Sequence, residues 1–429
     1  MDFCLGYLSP VDWLSRAPLI AALPKVSVSD TQREKVETCG AGARMARTLS
    51  QLSTVVPVPS ASAAAAPRAW TAAVPLRPRL TQWLSSSSSS QQQGQPLHRS
   101  AQDTGPRSGS SHPRRYVAVC GVSSGSGGEQ APGSARVLDE LRRQLDAEGV
   151  DAFVIPTEDP HSSEYPALYY ARREFVTGFT GSFGTAAVTS NPPAAALTTD
   201  GRYFLQAEMQ LNKQHYELLK GGMPDVPTIN EWVVNKLSKD GTPKKVGIDP
   251  LVHSIDSARA LSEELEQEGH SLVFLKTNPL DTVWGEDRPP MPEDQIRVHD
   301  IKYAGRTVED KLKEMRFHME ENGVQALLVT TLDEVAWLYN IRGSDVPHCP
   351  VALSYALVEA EQATLFTNPS KVTDVCKAHL EASGVMIKPY DAVSTAVEQV
   401  TASGSSLWID PATCNIGLLT AAAAGIAKS

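Results

Sequence analysis

Four short runs in the 429-residue chain hold the residue types that could do chemistry. The first is Asp200-Gly201-Arg202-Tyr203, which directly follows an apolar segment. Asp and Gly favour a tight turn there, and the turn would present Arg202 at the edge of a sheet. A guanidinium so placed donates to a carboxylate or to a peptide carbonyl, so Arg202 is either a ligand-binding residue or half of a structural ion pair. The second run is Asp159-x-His161-x-x-Glu164. It offers three metal-ligand types close together, but a hard divalent cation needs more carboxylates converging from several elements. A helix start capped by His161, Ser163 and Glu164 after Pro160 suits the residue types better. The third, Gly178-x-x-Gly181-x-x-Gly184, lacks the Lys-Ser/Thr of a phosphate loop and reads as turns and close packing. The fourth, His348-Cys349, would make a thiol nucleophile only if both side chains faced one way, and neighbours in an extended strand do not. No H-E-x-x-H helix occurs. By residue type alone, the sequence names no catalytic group and no metal ligand.

The elements that must position these runs come in two similar sets. Ala135 to Gly149 places Val137, Leu138, Leu141 and Leu145 on one helical face and ends at a glycine. An apolar run, Val150 to Ile155, follows as a strand. The same order recurs at Glu309 to Asn322, with Leu312, Met315 and Met319 as the apolar face, then Gly323 and the strand Val324 to Val329. FVTGFTGS (Phe175 to Ser182) lines up with WLYNIRGS (Trp337 to Ser344), and LTTD (Leu197 to Asp200) with LFTN (Leu365 to Asn368). Similar offsets along ordered features predict a tandem duplication of an α/β domain. Within each copy two further apolar strands follow the glycine turn: Thr185 to Thr189 then Ala195 to Thr199, and Val351 to Val358 then Thr364 to Thr367. Each pair predicts a hairpin, so the sheets should be mixed and flanked by helices. A proline-rich linker over 277–306, expected to be extended, separates domain I (135–276) from domain II (307–429).

Charge divides the chain differently. Residues 1–135 carry 13 Lys/Arg against 7 Asp/Glu, whereas the remainder carries 26 against 42. An acidic body with a net charge of −10 overall excludes a broad electrostatic footprint for nucleic acid. No apolar stretch approaches the roughly 20 residues of a membrane span. Six scattered cysteines without a C-x-x-C pair indicate neither a disulfide framework nor a zinc ribbon. Residues 1–134, with their Ser, Ala, Gln and Gly/Ser runs, read as a disordered leader. From Met45 to Arg115 the only acid is Asp103 while arginines recur, the signature of an organelle transit peptide. Chloroplast import is the expectation, with mitochondrion or cytoplasm as alternatives.

Longer motifs carry a resemblance. IPTEDPHSSEY (Ile155 to Tyr165), RREFVTGFTGSFGTAAVT (Arg172 to Thr189), TTDGRYFLQAEMQL (Thr198 to Leu211), VGIDP (Val246 to Pro250) and LDEVAWLYNIRGSDVPHCPVALSYALV (Leu332 to Val358) resemble the N-terminal half of the three-domain Xaa-Pro aminopeptidases. That resemblance implies two creatinase N-terminal-type domains. It implies a family that removes the first residue from peptides with proline second, using two manganese ions held in a C-terminal domain. It also implies that Arg202 binds the peptide substrate and that the N-terminal domains gate the cleft and support a homodimer. The family's histidine-rich run and acidic metal motifs are not found up to Ser429. The expectation is therefore a chain with no catalytic residue, metal ligand or cofactor of its own. It would be a fragment of such a peptidase or, alternatively, a catalytically inactive creatinase-domain protein that binds peptides or dimerises.

Overall fold

In the computed structural model the described residues are Leu19–Ile20, a two-residue strand (β1), and 131–428. The transit-peptide reading of the leader falls outside these residues. Helix Ala135–Glu148 starts where Ser134 accepts the Val137 amide and ends at Gly149, whose φ of 67° is left-handed. Val137, Leu138, Leu141 and Leu145 are all buried, as their spacing predicts. The strands of the first copy are Ala152–Ile155 (β2), Thr185–Thr189 (β3), Ala194–Thr199 (β4), Glu217–Lys220 (β5), Lys245–Ile248 (β6) and Ser271–Phe274 (β7), in the order β5-β4-β3-β2-β6-β7. β3 runs antiparallel to both of its neighbours, β2 and β4, and the outer pairings are parallel. The sheet is mixed.

After Arg297–Val298 (β8), the second copy contributes Ala326–Val329 (β9), Ile341–Arg342 (β10), Tyr355–Glu359 (β11), Ala363–Phe366 (β12), Val385–Lys388 (β13) and Leu407–Trp408 (β14). Its sheet runs β1-β14-β9-β11-β12-β13. Read from β13, the order of the first sheet repeats through β14, and the edge differs: β1 lies antiparallel to β14, whereas β7 lies parallel to β6. The registers agree as well. Ala152 pairs Thr189 and Val246 in the first copy, and Ala326 pairs Glu359 and Leu407 in the second. Even a side-chain bond repeats: Thr199 Oγ1 donates to the Phe183 carbonyl and Thr367 Oγ1 to that of Leu353, each two residues before the hairpin. Shared order, register and capping bond establish the duplication more firmly than sequence offsets do.

The copies meet about a local two-fold. Ile248-Asp249-Pro250 precedes helix Ile255–Gln267, and Ile409-Asp410-Pro411 precedes helix Ile416–Lys428. The Ile255 amide donates to the Cys414 carbonyl at 3.0 Å, and the Ile416 amide returns the bond to His253 at 2.9 Å. Asp256 N to Pro411 O, 3.1 Å, is mirrored by Gly417 N to Pro250 O, 2.9 Å. First-turn amides have no partner within their own helix, so each copy caps the other's helix with its own carbonyls. Reciprocal contacts of this kind characterise an isologous interface. One apolar cluster, including Trp232, Leu261, Val397 and Leu419, is continuous through both copies. Two further clusters cover the remaining faces of the sheets.

The linker departs from expectation. Residues Pro279–Trp284 form a helix, capped by the Asn278 side chain on the Leu280 amide, with Pro279 in the first turn where its missing N–H costs nothing. Asp281 on this helix takes a bidentate ion pair from Arg172 and a second contact from Arg288. Proline therefore begins a docked helix here. It does not hold residues 279–287 extended.

Candidate functional site

Arg202 stands at the end of β4, as its sequence position implies. Asp200 Oδ1 accepts the Arg202 amide at 3.0 Å, which closes the turn, and the same carboxylate takes Nε (3.1 and 3.2 Å) and Nη2 (2.8 Å) of the guanidinium. Nη1 faces Glu164 Oε1 at 3.7 Å. The guanidinium lies 5.2 Å from the Tyr203 ring centroid and 6.0 Å from that of Phe183. Its side chain is still 57 % exposed, so the group is oriented without being covered. Hydrogen bonding from Arg202 holds the Asp200 carboxyl below its ordinary range, and the same bond raises the guanidinium further above its own. Arg202 is therefore ion-paired, and its side chain stays exposed within the pair.

The second copy shows what is particular to the first. Asn368 repeats the turn, its Oδ1 accepting the Ser370 amide at 3.1 Å, yet the position of Arg202 is Ser370 and that of Tyr203 is Lys371. Lys371 turns inward to a buried ion pair with Asp345. The scaffold is duplicated and the outward cation is not.

Arg173, which sequence reasoning passed over within RREF, fixes the loop beneath the site. It is 5 % exposed and donates through Nε to Thr157 Oγ1 and through Nη1 and Nη2 to the carbonyls of Phe179 and Gly181. Burial lowers its guanidinium to about 10. A buried cation needs such acceptors, and here they arrange the loop carrying Phe183. Gly184 is required by packing, since a Cβ there would stand 2.7 Å from the Thr198 carbonyl. The glycine triplet is structural, as read.

The expected helix cap at His161, Ser163 and Glu164 does not form. Asp159 is the residue that caps, its Oδ1 accepting the amides of His161 and Ser163 in an irregular turn. His161 goes inward and joins the two copies, with Nδ1 2.7 Å from the Thr330 carbonyl and Nε2 2.7 Å from Tyr390 Oη. A carbonyl only accepts, so Nδ1 carries the proton and Nε2 accepts from the tyrosine. Burial lowers the imidazole's proton affinity. Glu164 alone turns outward, toward Arg202, so the three residues share no site. His348 and Cys349 also differ from expectation: Val346 and Cys349 pair across a turn in which His348 has a φ of 64°, and no strand runs through them. Burial raises the Cys349 thiol, the wrong direction for a nucleophile.

Among the described residues, no group of three or more His, Cys, Asp and Glu side chains is placed to hold a metal ion. The residues described do not fit a dinuclear metal centre. None of their helices is long and apolar enough to cross a membrane.

Two equivalent mixed-sheet domains, one of which presents an oriented, exposed arginine, define a tandem α/β module. Residues 138–277 match the Creatinase/Prolidase N-terminal domain, and 287–428 match a second model of the same description. The chain belongs to the creatinase/prolidase N-terminal domain family and carries that domain twice. Aminopeptidase P2 of Arabidopsis thaliana is 45 % identical over 286 residues, 66 % of this chain and 39 % of that protein. A Pyricularia oryzae protein named probable Xaa-Pro aminopeptidase P is 45 % identical over 257 residues, 60 % of this chain and 41 % of its own length. Among solved structures, the X-prolyl aminopeptidase of Caenorhabditis elegans, described as a cytosolic enzyme with a di-nuclear active site, superposes with a TM-score of 0.60 at 30 % identity. That match covers 66 % of this chain and 48 % of the nematode chain. The chain thus spans about two-fifths to one half of the relatives it matches.

Proposed function

We propose that this chain is the substrate-gating half of an Xaa-Pro aminopeptidase, and that Arg202 is its peptide-binding residue. The observation that carries the reading is the oriented, outward guanidinium at the end of β4, present in one copy of a duplicated scaffold and replaced by Ser370 in the other. On this reading the hydrolytic step, with the two manganese ions expected of the whole enzyme, belongs to residues other than those described. The described residues contribute binding and access. Homodimerisation through these domains is part of the proposal.

The test is binding. A pentapeptide with proline second, titrated into the full chain, should bind, and Arg202→Ala should weaken binding by about 1–3 kcal/mol, the cost of losing a charged hydrogen bond. Equal affinity for both proteins would remove Arg202 from the reading. Localisation has its own test: residues 45–135 fused to a fluorescent protein should enter plastids, and a diffuse cytosolic signal would defeat chloroplast import.

A further inference from the structure

The charges around Arg202 restrict what it can bind. One guanidinium is flanked by two carboxylates, Asp200 in bidentate contact and Glu164 at 3.7 Å. The cluster therefore carries a net charge of −1 although its outward group is a cation. Asp200 occupies Nε and one edge of Nη2, so the edge left for a ligand is the one between Nη2 and Nη1, beside Glu164. A carboxylate arriving there would meet Glu164 as well as the arginine. A peptide carbonyl would accept the same N–H without that repulsion. The second copy makes the contrast plain, because its equivalent turn keeps a neutral Asn368 where the first has Asp200.

We infer that Glu164 and Asp200 set the specificity of this site: Arg202 receives a neutral backbone carbonyl and discriminates against a free carboxylate. The favoured ligands are then peptides that continue past the contact point, or end in an amide, and the disfavoured ones are short peptides whose C-terminal carboxylate falls on Arg202. Phe183, 45 % exposed and close to the guanidinium, and Tyr165, 50 % exposed, offer apolar surface for the continuing chain. This inference rests on the assignment of Arg202 as the peptide-binding residue, and the experiment separates the two.

The full chain is titrated with two sets of peptides with proline second, three to five residues long, each prepared as the free acid and as the C-terminal amide. At the length whose terminus reaches Arg202, the amide should bind about three- to tenfold more tightly in low salt, as expected for one exposed like-charge contact. The preference should shrink toward unity at 1 M salt, where the Debye length is about 3 Å. Glu164→Gln should shift that preference toward the acid, and Asp200→Asn should do so further. If Arg202→Ala abolishes binding while Glu164→Gln and Asp200→Asn leave the amide-to-acid ratio unchanged, the inference falls and the peptide-binding role stands. If Arg202→Ala changes nothing, both fall. Circular dichroism of each variant checks that a changed ratio does not come from unfolding.

Discussion

Replacing Lys371 by Met should lower the unfolding free energy by about 3–5 kcal/mol, the range for removing one partner of a buried ion pair. The Lys371 and Asp345 side chains are 2 % and 0 % exposed and in direct contact. The Leu353 amide donates to the same carboxylate at 2.6 Å, and Asp345 Oδ1 has no partner. Without the ammonium, the anion would be left with one amide in an apolar surround. Burial already pushes the Asp345 carboxyl up, so the variant would escape part of the penalty by taking a proton. The sign follows: a raised folded-state affinity stabilises below the unfolded value near 3.8 and is lost as pH rises. The gap between variant and native protein should accordingly narrow toward acid. Urea unfolding at pH 7 and pH 5 measures both. A loss below about 1 kcal/mol at pH 7 would mean the pair behaves as a surface bridge. Asp345→Leu combined with Lys371→Met should recover much of the loss, because the uncompensated charge is then gone.

Where periodicity governs structure, the sequence was readable. The apolar faces at Val137 to Leu145 and Leu312 to Met319 are buried, and the hairpin strands fall within a few residues of their expected bounds. Turn chemistry was readable too, since Asp200 acts on its own backbone within two residues. What sequence did not reveal is long-range. Glu164 reaches Arg202 across 38 positions of chain, and His161 meets Thr330 at a separation of 169. No local pattern encodes such partners. One long-range feature does have a sequence signal: Ile248-Asp249-Pro250 and Ile409-Asp410-Pro411 mark the same point in each copy, and their alignment places the two-fold junction. The proline-rich linker shows the opposite failure. Proline content predicts an extended segment, whereas Asn278 caps a helix that Pro279 begins.

The same alignment places His253 opposite Cys414, and this pair yields the second large expectation. Both lie at the junction and both are buried, at 4 % and 1 %. The Cys414 thiol, pushed up to about 12 by burial, stays neutral throughout the working range. His253 is different. Burial lowers it to about 4, while its Nε2 stands 3.3 Å from the Val154 carbonyl and its Nδ1 3.3 Å from Ser257 Oγ. An unfolded histidine takes its proton near 6.5, and the folded one resists until about 4. Between these values the unfolded state binds more protons, so stability falls as pH falls, by up to about 3 kcal/mol from this residue once pH reaches 4. His161, lowered in the same direction and bonded across the copies, adds to the slope. Thermal unfolding from pH 7 to pH 4 should show a steep loss beginning near 6.5. His253→Cys, which installs the other copy's residue, should flatten that loss even if it costs some stability at pH 7. An unchanged slope in the variant would show that the acid sensitivity arises elsewhere, whereas a flattened one would locate it at the two-fold junction, where each copy caps the other's helix.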